Sequence, residues 1–187
     1  MDKLRCAWVR EDRRMIDYHD REWGVPLHRD QRLFEFLVLE GMQAGLSWST
    51  ILNKRASFRK AFSRFNPVAV ACFTERDTRR LLGDPGIIRN RLKIEAAINN
   101  AQRFLEVKKE FGSFDRYIWQ FVDGKPIRNE RKSVSEIPAS SELSDAISRD
   151  LKQRGFKFVG TTIIYAHMQA TGMVNDHTVD CFRYQEL

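Results

Sequence analysis

The fold is organised around the segment Leu82-Gly83-Asp84-Pro85-Gly86-Ile87-Ile88-Arg89-Asn90-Arg91-Leu92-Lys93, where glycine and proline interrupt the helical spacing of the surrounding apolar residues. The segment predicts a tight turn between two helices. Glycines allow backbone N–H groups to point outward, and the N-terminus of a following helix favours an anion. The candidate phosphate ligands in this turn are Gly86, Arg89, Arg91 and Lys93. The alternative is a plain turn between two packed helices.

Helical spacing continues on both sides of this turn. Thr74-Glu75-Arg76-Asp77 is a capping-box pattern, which predicts a short helix ending at Leu82. Apolar residues from Ile88 to Leu105 recur at helical intervals and predict a longer helix. Apolar residues at helical spacing also predict helices over 34–48, 114–122, 144–153 and 161–171, and the last of these is expected to be central and buried. A polar stretch predicts a loop over 128–142. No hairpin dipeptide lies between alternating strands, so the predicted fold class is all-α.

Length and composition indicate one globular unit. The 187 residues are 42% apolar and 30% charged, which excludes a disordered chain, a collagen-like fibre and a disulfide-dense scaffold. The size predicts a single unit over 1–187 with two helical lobes. No apolar run reaches the roughly 18 residues of a membrane helix, and the first residues form no apolar signal segment. We therefore expect a cytoplasmic protein with no membrane partner.

Positive charge is concentrated in one part of the chain. The net charge is +7, and residues 54–93 contain 11 basic and 3 acidic side chains. Such a block predicts a polyanionic partner, whereas the alternative is an ordinary solvated helical surface. Phenylalanine, valine and leucine residues are interspersed in the block, so it belongs to the folded domain. We assign a basic region of helix, hairpin and helix to about 54–110.

Cysteine and histidine residues near the two ends of the chain form a possible metal site. Cys6 and His19 lie near the start, and His177 and Cys181 are spaced i, i+4 near the end. Two thiolates and two imidazoles are the donor set of a closed structural zinc site, which would join the terminal segments. The alternative is scattered core thiols and surface histidines. Cys72, in an apolar stretch, is assigned to the core.

An acid and several aromatic residues form a second possible site. Glu40 falls on the apolar side of the predicted helix over 34–48, where an unpaired carboxylate needs a donor or a cationic ligand. Trp8, Tyr18, Trp23 and Trp48 lie in the same part of the sequence. Rings around one acid would suit a flat, positively charged ligand. The alternatives are a glutamate that reaches solvent at a helix end and aromatic residues that only fill the core.

Several long blocks resemble, in the same order, the 3-methyladenine DNA glycosylase I family of the helix-hairpin-helix glycosylase superfamily. The resemblance extends over nearly the whole chain. The blocks that carry it are Arg5-Cys6-Ala7-Trp8, Tyr18-His19-Asp20-Arg21-Glu22-Trp23-Gly24-Val25-Pro26, Leu39-Glu40-Gly41-Met42-Gln43-Ala44-Gly45-Leu46-Ser47-Trp48, Gly86-Ile87-Ile88-Arg89-Asn90-Arg91, Gly155-Phe156-Lys157-Phe158-Val159-Gly160-Thr161-Thr162 and Val174-Asn175-Asp176-His177.

The resemblance implies a monofunctional enzyme of base-excision DNA repair. Such an enzyme hydrolyses the N-glycosidic bond of 3-methyladenine in alkylated double-stranded DNA, releases the free base and leaves an abasic site. The resemblance also implies one structural zinc ion per chain, with Cys6, His19, His177 and Cys181 as its ligands. We expect the protein to act as a monomer.

The resemblance gives roles to the acid and the rings. It makes Glu40 the catalytic residue that contacts the excised base, together with Tyr18 and Trp48, and it places Trp8 and Trp23 in the pocket wall. No residue is assigned to assist the sugar cation.

Two neighbouring features complete this interpretation. Gly45-Leu46, at the end of the predicted helix, are expected to contact DNA and to fill the space that a flipped nucleotide leaves in the stack. Arg13 and Met15 stand where the family often has proline and an aromatic residue, so we expect one wall of the pocket to be softer.

Three other functions stay open from the sequence. A zinc-stapled helical DNA-binding module without catalysis would need the basic turn and the four metal ligands but not the acid. A glycosylase with a wider lesion range would also excise 3-methylguanine. A zinc-bound interaction scaffold would have no affinity for duplex DNA.

Overall fold

The computed structural model describes residues 3–9 and 11–187, and it is mostly helical. The helices are α1 (Arg13–Arg21), α2 (Asp30–Gln43), α3 (Trp48–Ala61), α4 (Pro67–Ala71), α5 (Glu75–Leu82), α6 (Arg91–Phe111), α7 (Phe114–Trp119), α8 (Glu142–Gln153), α9 (Thr161–Ala170) and α10 (Phe182–Glu186). Short 3-10 turns occupy Ser63–Phe65, Gln120–Val122 and Val134–Glu136, and two short strands are β1 (Ile127–Arg128) and β2 (Val174–Asn175). No helix within the described residues is long and apolar enough to cross a membrane.

The predicted turn lies between α5 and α6. The capping box at the start of α5 is confirmed, since the backbone N–H of Thr74 donates to Asp77 at 3.0 Å. The Asn90 side chain accepts the N–H of Lys93 at 3.1 Å and caps α6. For this reason α6 begins at Arg91. The apolar spacing predicts that the helix already includes Ile88, but this residue belongs to the turn.

The apolar repeat over 34–48 covers two helices, not one. Helix α2 ends at Gln43, and Gly45 has a φ of +77°, a left-handed conformation that suits glycine. Ser47 then caps α3 by accepting the N–H of Thr50 at 3.2 Å. Trp48 is therefore the first residue of a new helix, and the prediction of one continuous helix is wrong.

The all-α prediction omits a small sheet. Strands β1 and β2 pair in parallel, with Ile127 beside Val174 and Arg128 beside Asn175. Two-residue strands without a turn signal between them give no alternating pattern that a sequence reading can detect. The pairing ties the loop that precedes α8 to the segment that follows α9.

Two clusters of buried side chains form the interior. The larger one surrounds α2, whose residues from Leu33 to Met42 are all buried. The smaller one joins the N-terminal segment and α1 to the C-terminus, and it includes Cys6, Tyr18 and Cys181. Helix α9 is largely buried against α2 and α8, as predicted. The division into two lobes stays a prediction.

The assignment of Cys72 to the core is wrong, because the residue is exposed. Helix α4 is only five residues long and ends at Ala71, so Cys72 stands beyond it as the C-cap. Val70 buries its side chain in the apolar run instead.

Candidate active site and metal centre

A cavity of about 320 Å³ opens between α1, α2, α3, α9 and the loop that precedes α8. Its volume lies in the usual range for small-ligand pockets. The residues that line it are mostly apolar or aromatic: Trp8, Met15, Tyr18, Trp23, Glu40, Gln43, Trp48, Val134, Ile137, Ala166 and Gln169. All five residues that the sequence assigned to a base pocket are therefore brought together.

Glu40 is the acid of this cavity. It sits in the buried second half of α2 and is only 4% exposed, so it does not reach solvent at a helix end. Among the described residues no hydrogen bond or ion pair engages its carboxyl group. Burial raises the pKa of Glu40 to about 8, and the charge of Arg55 opposes this rise only in part. An empty cavity therefore holds a mostly protonated acid at neutral pH, which a cationic ligand would convert to the carboxylate.

Aromatic rings form the walls around this acid. The ring centroids of Tyr18 and Trp48 are 5.2 Å apart, and those of Trp8 and Trp23 are 4.9 Å apart in an edge-on contact. Burial raises the pKa of Tyr18 well above its ordinary value, which keeps its hydroxyl protonated. Such walls suit a flat ligand that stacks on one ring and meets the edge of another.

Met15 and Arg13, the two positions that depart from the family pattern, lie in different environments. Met15 lines the cavity and is buried, so a flexible thioether stands in the wall. Arg13 is exposed, and its guanidinium donates to Asp17 at 3.3 Å on the outside of α1. The softer wall that the sequence predicts can therefore arise from Met15 but not from Arg13.

A group of buried and half-buried arginines and glutamates links the helices around the cavity, and the sequence analysis missed it. Arg55 of α3 donates to Glu22, after α1, at 2.8 and 2.9 Å, and to Glu35 of α2 at 2.8 Å. Arg32 also bonds to both glutamates, at 2.6 and 2.7 Å. The guanidinium of Arg55 thus links α3 to α2 and to the end of α1. The basic block gave no signal for this, because the acidic partners lie outside it in the sequence.

The four predicted metal ligands lie together in the interior. Their ligating atoms are all within 4.8 Å of one another, and all four residues are buried. The Sγ of Cys181 is 3.4 Å from His19 Nε2 and 3.5 Å from His177 Nδ1, and Cys6 Sγ is also 3.5 Å from His177 Nδ1. A bond from the Cys6 thiol and contacts with both histidines lower the pKa of Cys181, although burial opposes this. The cluster could hold a metal ion and joins the two ends of the chain.

Further contacts orient the imidazole rings of the cluster. His19 Nδ1 is 2.8 Å from a carboxylate oxygen of Asp20, which in turn accepts from Arg5 at 2.8 Å. His177 Nε2 is 3.1 Å from the carbonyl oxygen of Trp23. Contacts of this kind fix which ring nitrogen faces a metal.

The cluster also supports the cavity wall. The ring of Trp8 contacts His19 with centroids 5.3 Å apart, and the ring of Trp23 contacts His177 at 4.6 Å. Two of the aromatic walls therefore rest on the residues that could bind the metal. Disturbing the cluster would disturb the pocket.

The basic residues of the turn differ in accessibility. Arg89 is exposed and makes no ion pair within the part of the chain that the structure describes. Arg91 is also exposed, and it lies 3.2 Å from both Glu75 and Glu95. The N–H of Gly86 donates to Asp84 at 2.7 Å, so this amide does not point outward as the sequence suggested.

Lys93 has a place that the sequence did not predict. It is only 8% exposed, and its ammonium donates to the carbonyl oxygens of Met42 at 2.9 Å and Ala44 at 2.6 Å. It therefore closes the C-terminal end of α2, where a cation is favourable, instead of lying free on the surface for a phosphate.

Gly45 and Leu46 form an exposed corner between α2 and α3. Leu46 is 41% exposed, and a side chain added at Gly45 would meet no atom within 4 Å. The corner borders a second cavity of about 180 Å³, which shares Glu40, Gln43 and Ala166 with the main one. An exposed leucine thus stands where the pocket opens to the surface.

Comparison with known proteins places these features in a family. The methyladenine glycosylase family model matches residues 8–184. DNA-3-methyladenine glycosylase 1 of Escherichia coli (strain K12) is 51% identical over 180 residues, covering 96% of each chain. DNA-3-methyladenine glycosylase of Haemophilus influenzae (strain ATCC 51907 / DSM 11121 / KW20 / Rd) is 47% identical over 177 residues, covering 95% of this chain and 96% of that protein. A crystal structure of a variant 3-methyladenine DNA glycosylase I in complex with 3-methyladenine superposes with a TM-score of 0.93 at 38% identity, covering 95% of this chain and 96% of that one.

Proposed function

Since the chain belongs to the methyladenine glycosylase family, we propose that it is a DNA-3-methyladenine glycosylase, which hydrolyses the N-glycosidic bond of 3-methyladenine in alkylated DNA for base-excision repair. The observation that carries this proposal is Glu40, a buried acid without a hydrogen-bonding partner among the described residues, in a cavity walled by aromatic rings. A buried acid of this kind lowers stability unless a ligand uses it. The same observation disfavours a DNA-binding module without catalysis, which would have no use for it.

The chemistry follows from the charge of the lesion. Adenine methylated at N3 in DNA is already positively charged, so it leaves without a general acid. The enzyme extrudes the nucleotide from the duplex at a cost of a few kcal/mol. The base then stacks against Tyr18 and Trp48, and Glu40 accepts hydrogen bonds from its edge. As the glycosidic bond breaks, the sugar becomes an oxocarbenium-like cation, water adds to it, and a proton is lost to solvent.

Binding of the cationic base changes the state of Glu40. A positive charge in a cavity from which water is excluded stabilises the carboxylate, so the pKa of Glu40 falls below its value of about 8 in the empty protein. This coupling favours the alkylated, charged base over neutral adenine. Selectivity therefore comes from the burial of the acid together with the rings.

We infer that the ion held by the cysteine and histidine cluster is one structural Zn²⁺. Bonds of about 2.3 Å to sulfur and about 2.0 Å to nitrogen in a tetrahedral site separate neighbouring ligand atoms by about 3.5 Å. The separations of Cys181 Sγ from His19 and His177, 3.4 and 3.5 Å, fit this geometry. Four protein ligands leave no open position for substrate, so the ion holds the terminal segments together and takes no part in bond cleavage.

For the DNA interface we propose the turn between α5 and α6 as the hairpin of a helix-hairpin-helix element. Arg89 and Arg91 would contact phosphates, and the backbone near Gly86 would approach the strand. Leu46, exposed beside the cavity, would fill the gap in the base stack, with Gly45 allowing the close approach. Double-stranded DNA, a monomeric enzyme and a cytoplasmic location complete the proposal.

The test measures release of free 3-methyladenine from methylated duplex DNA. Wild-type protein is expected to release the base, and Glu40→Gln is expected to lose activity by at least about a hundredfold while keeping its fold and metal content. Glu106→Gln, at an exposed glutamate on α6, is the matched control and should keep full activity. Full activity in Glu40→Gln would remove this residue from the mechanism, and no release by wild type would refute the proposed function.

A further inference from the structure

A second polar side chain of the cavity is held in one orientation. Gln169 lies on α9, three residues after Ala166, so the same helix face presents both residues to the cavity. The Nε2 of Gln169 donates to Asp176 Oδ2 at 2.8 Å. No donor in the described part of the chain engages its other amide atom, Oε1.

Asp176 fixes this orientation because its carboxylate accepts hydrogen bonds from several neighbouring side chains. Its side chain is fully buried, and the hydroxyl of Tyr165 donates to Oδ2 at 2.7 Å. The amide of Asn129 donates to Oδ1 at 2.7 Å, and Arg131 Nε lies 3.5 Å from the same oxygen. Rotating the Gln169 amide by half a turn would bring its carbonyl oxygen against this carboxylate. The bond to Asp176 therefore leaves the carbonyl oxygen as the group available to a ligand.

Gln43, the other glutamine of the cavity, differs in this respect. Within residues 3–9 and 11–187 its side chain makes no hydrogen bond, so its amide can present either a donor or an acceptor. Of these two glutamines, Gln169 is the one whose amide orientation is set by a buried neighbour.

We propose that Gln169 is a specificity-determining residue whose carbonyl oxygen accepts a hydrogen bond from the exocyclic amino group of the excised base, and that Asp176 is its positioning residue. This inference rests on the proposed function. Adenine carries an amino donor where guanine carries the oxygen O6. A cavity with two acceptors, Glu40 and Gln169, pairs with the amino group and repels the oxygen. Gln169 thus favours alkylated adenine over alkylated guanine, because an unpaired or opposed polar group in a closed site is costly.

The experiment compares release of 3-methyladenine and 3-methylguanine from the same methylated duplex DNA. Gln169→Met keeps the length of the side chain and removes the acceptor. It is expected to lower kcat/KM for 3-methyladenine by about tenfold and to lower the ratio of adenine to guanine products by at least that factor. Gln153→Met, at an exposed position on α8, is the matched control and should leave the ratio unchanged. An unchanged product ratio in Gln169→Met overturns the inference.

A second arm tests the role of Asp176. Asp176→Asn removes the constraint on the amide, and it is expected to lower the product ratio in the wild-type background but not in Gln169→Met. An equal change in both backgrounds would mean that Asp176 is merely structural. If Asp176→Asn does not fold, the Gln169→Met arm still decides the claim about Gln169. Release of 3-methyladenine by wild type with an unchanged ratio in Gln169→Met refutes only this inference, whereas no release by wild type refutes the proposed function itself.

Discussion

In the part of the chain that the structure describes, one carboxyl group of the pocket is buried without the partners that a buried acid usually has. Glu40 is buried without a bonding partner in the described residues, while Glu35, five positions earlier on α2, is equally buried and bonded by three arginines. The spacing of the two glutamates on one helix does not show that Glu35 is neutralised, because its arginine partners come from elsewhere on α2 and from α3. The family resemblance singles out Glu40, and the structure adds that, among the described residues, Glu35 is paired with arginines whereas Glu40 is not.

A stability measurement follows from this burial. The pKa of Glu40 is raised from about 4.5 to about 8 in the folded protein, so between these pH values the unfolded chain releases a proton that the native state keeps. The contribution of Glu40 to the free energy of unfolding therefore decreases as the pH rises from 4.5 toward 8. Relative to Glu40→Gln, the free energy of unfolding of wild type is expected to fall by about 3 kcal/mol between pH 4.5 and pH 7. The slope over most of this range is about 1.4 kcal/mol per pH unit.

The measurement is urea denaturation of both proteins across this pH range. Glu106→Gln should follow wild type at every pH, because Glu106 is exposed. A stability difference between wild type and Glu40→Gln that does not change with pH would show that the carboxyl group ionises normally in the folded protein.

At the scale of elements, capping and turn patterns gave correct predictions, whereas apolar spacing alone misplaced some helix ends and long-range contacts gave no sequence signal. The capping box of α5 and the turn before α6 are local patterns, and both are confirmed. The end of α2 is different, because its carbonyl groups are bonded by Lys93, 49 and 51 residues away along the chain. A basic residue in a basic block gives no sign that it faces inward. The two-residue strands β1 and β2 escaped prediction for a similar reason, since their partners are distant in sequence.

Arg89 and Lys93, near the turn between α5 and α6, are therefore expected to respond differently to substitution. Arg89→Ala should weaken binding of any duplex DNA and reduce the salt slope of log K by about 1, because it removes one phosphate contact. Lys93→Met should leave the salt slope unchanged and lower stability by about 1–3 kcal/mol, because two carbonyl groups lose a charged donor. Fluorescence anisotropy at several salt concentrations and thermal denaturation measure the two effects. An unchanged slope in Arg89→Ala, or a reduced one in Lys93→Met, would contradict the assignment.

At the scale of the whole molecule, the cluster of Cys6, His19, His177 and Cys181 connects the ends of the chain to the pocket. The sequence predicted these four residues as ligands, and they lie together as expected. It could not show that the rings of Trp8 and Trp23, which wall the cavity, pack against the two histidines. If the cluster binds the proposed ion, the free energy of metal binding adds to the free energy of folding, because the unfolded chain does not hold the four ligands together.

Removal of one ligand is expected to affect both stability and the pocket. Cys181→Ser should lose the bound metal, lower Tm by about 10 °C, and shift tryptophan emission to longer wavelength as water reaches Trp8 and Trp23. Cys72→Ser is the matched control, since Cys72 is exposed and outside the cluster, and it should change none of these properties. Elemental analysis, calorimetry and fluorescence give the three readouts. Metal loss with unchanged Tm and emission would separate the cluster from both the fold and the pocket.

If the carboxylate of Glu40 recognises the positive charge of an alkylated base, activity must follow the ionisation of this group. The pH dependence of kcat/KM for release of 3-methyladenine, corrected for spontaneous depurination, measures this. We expect kcat/KM of wild type to rise with pH and level off near the pKa of about 8, and Glu40→Gln to have low activity without this rise. A wild-type rate that falls through this range, or an equal rise in Glu40→Gln, would contradict it.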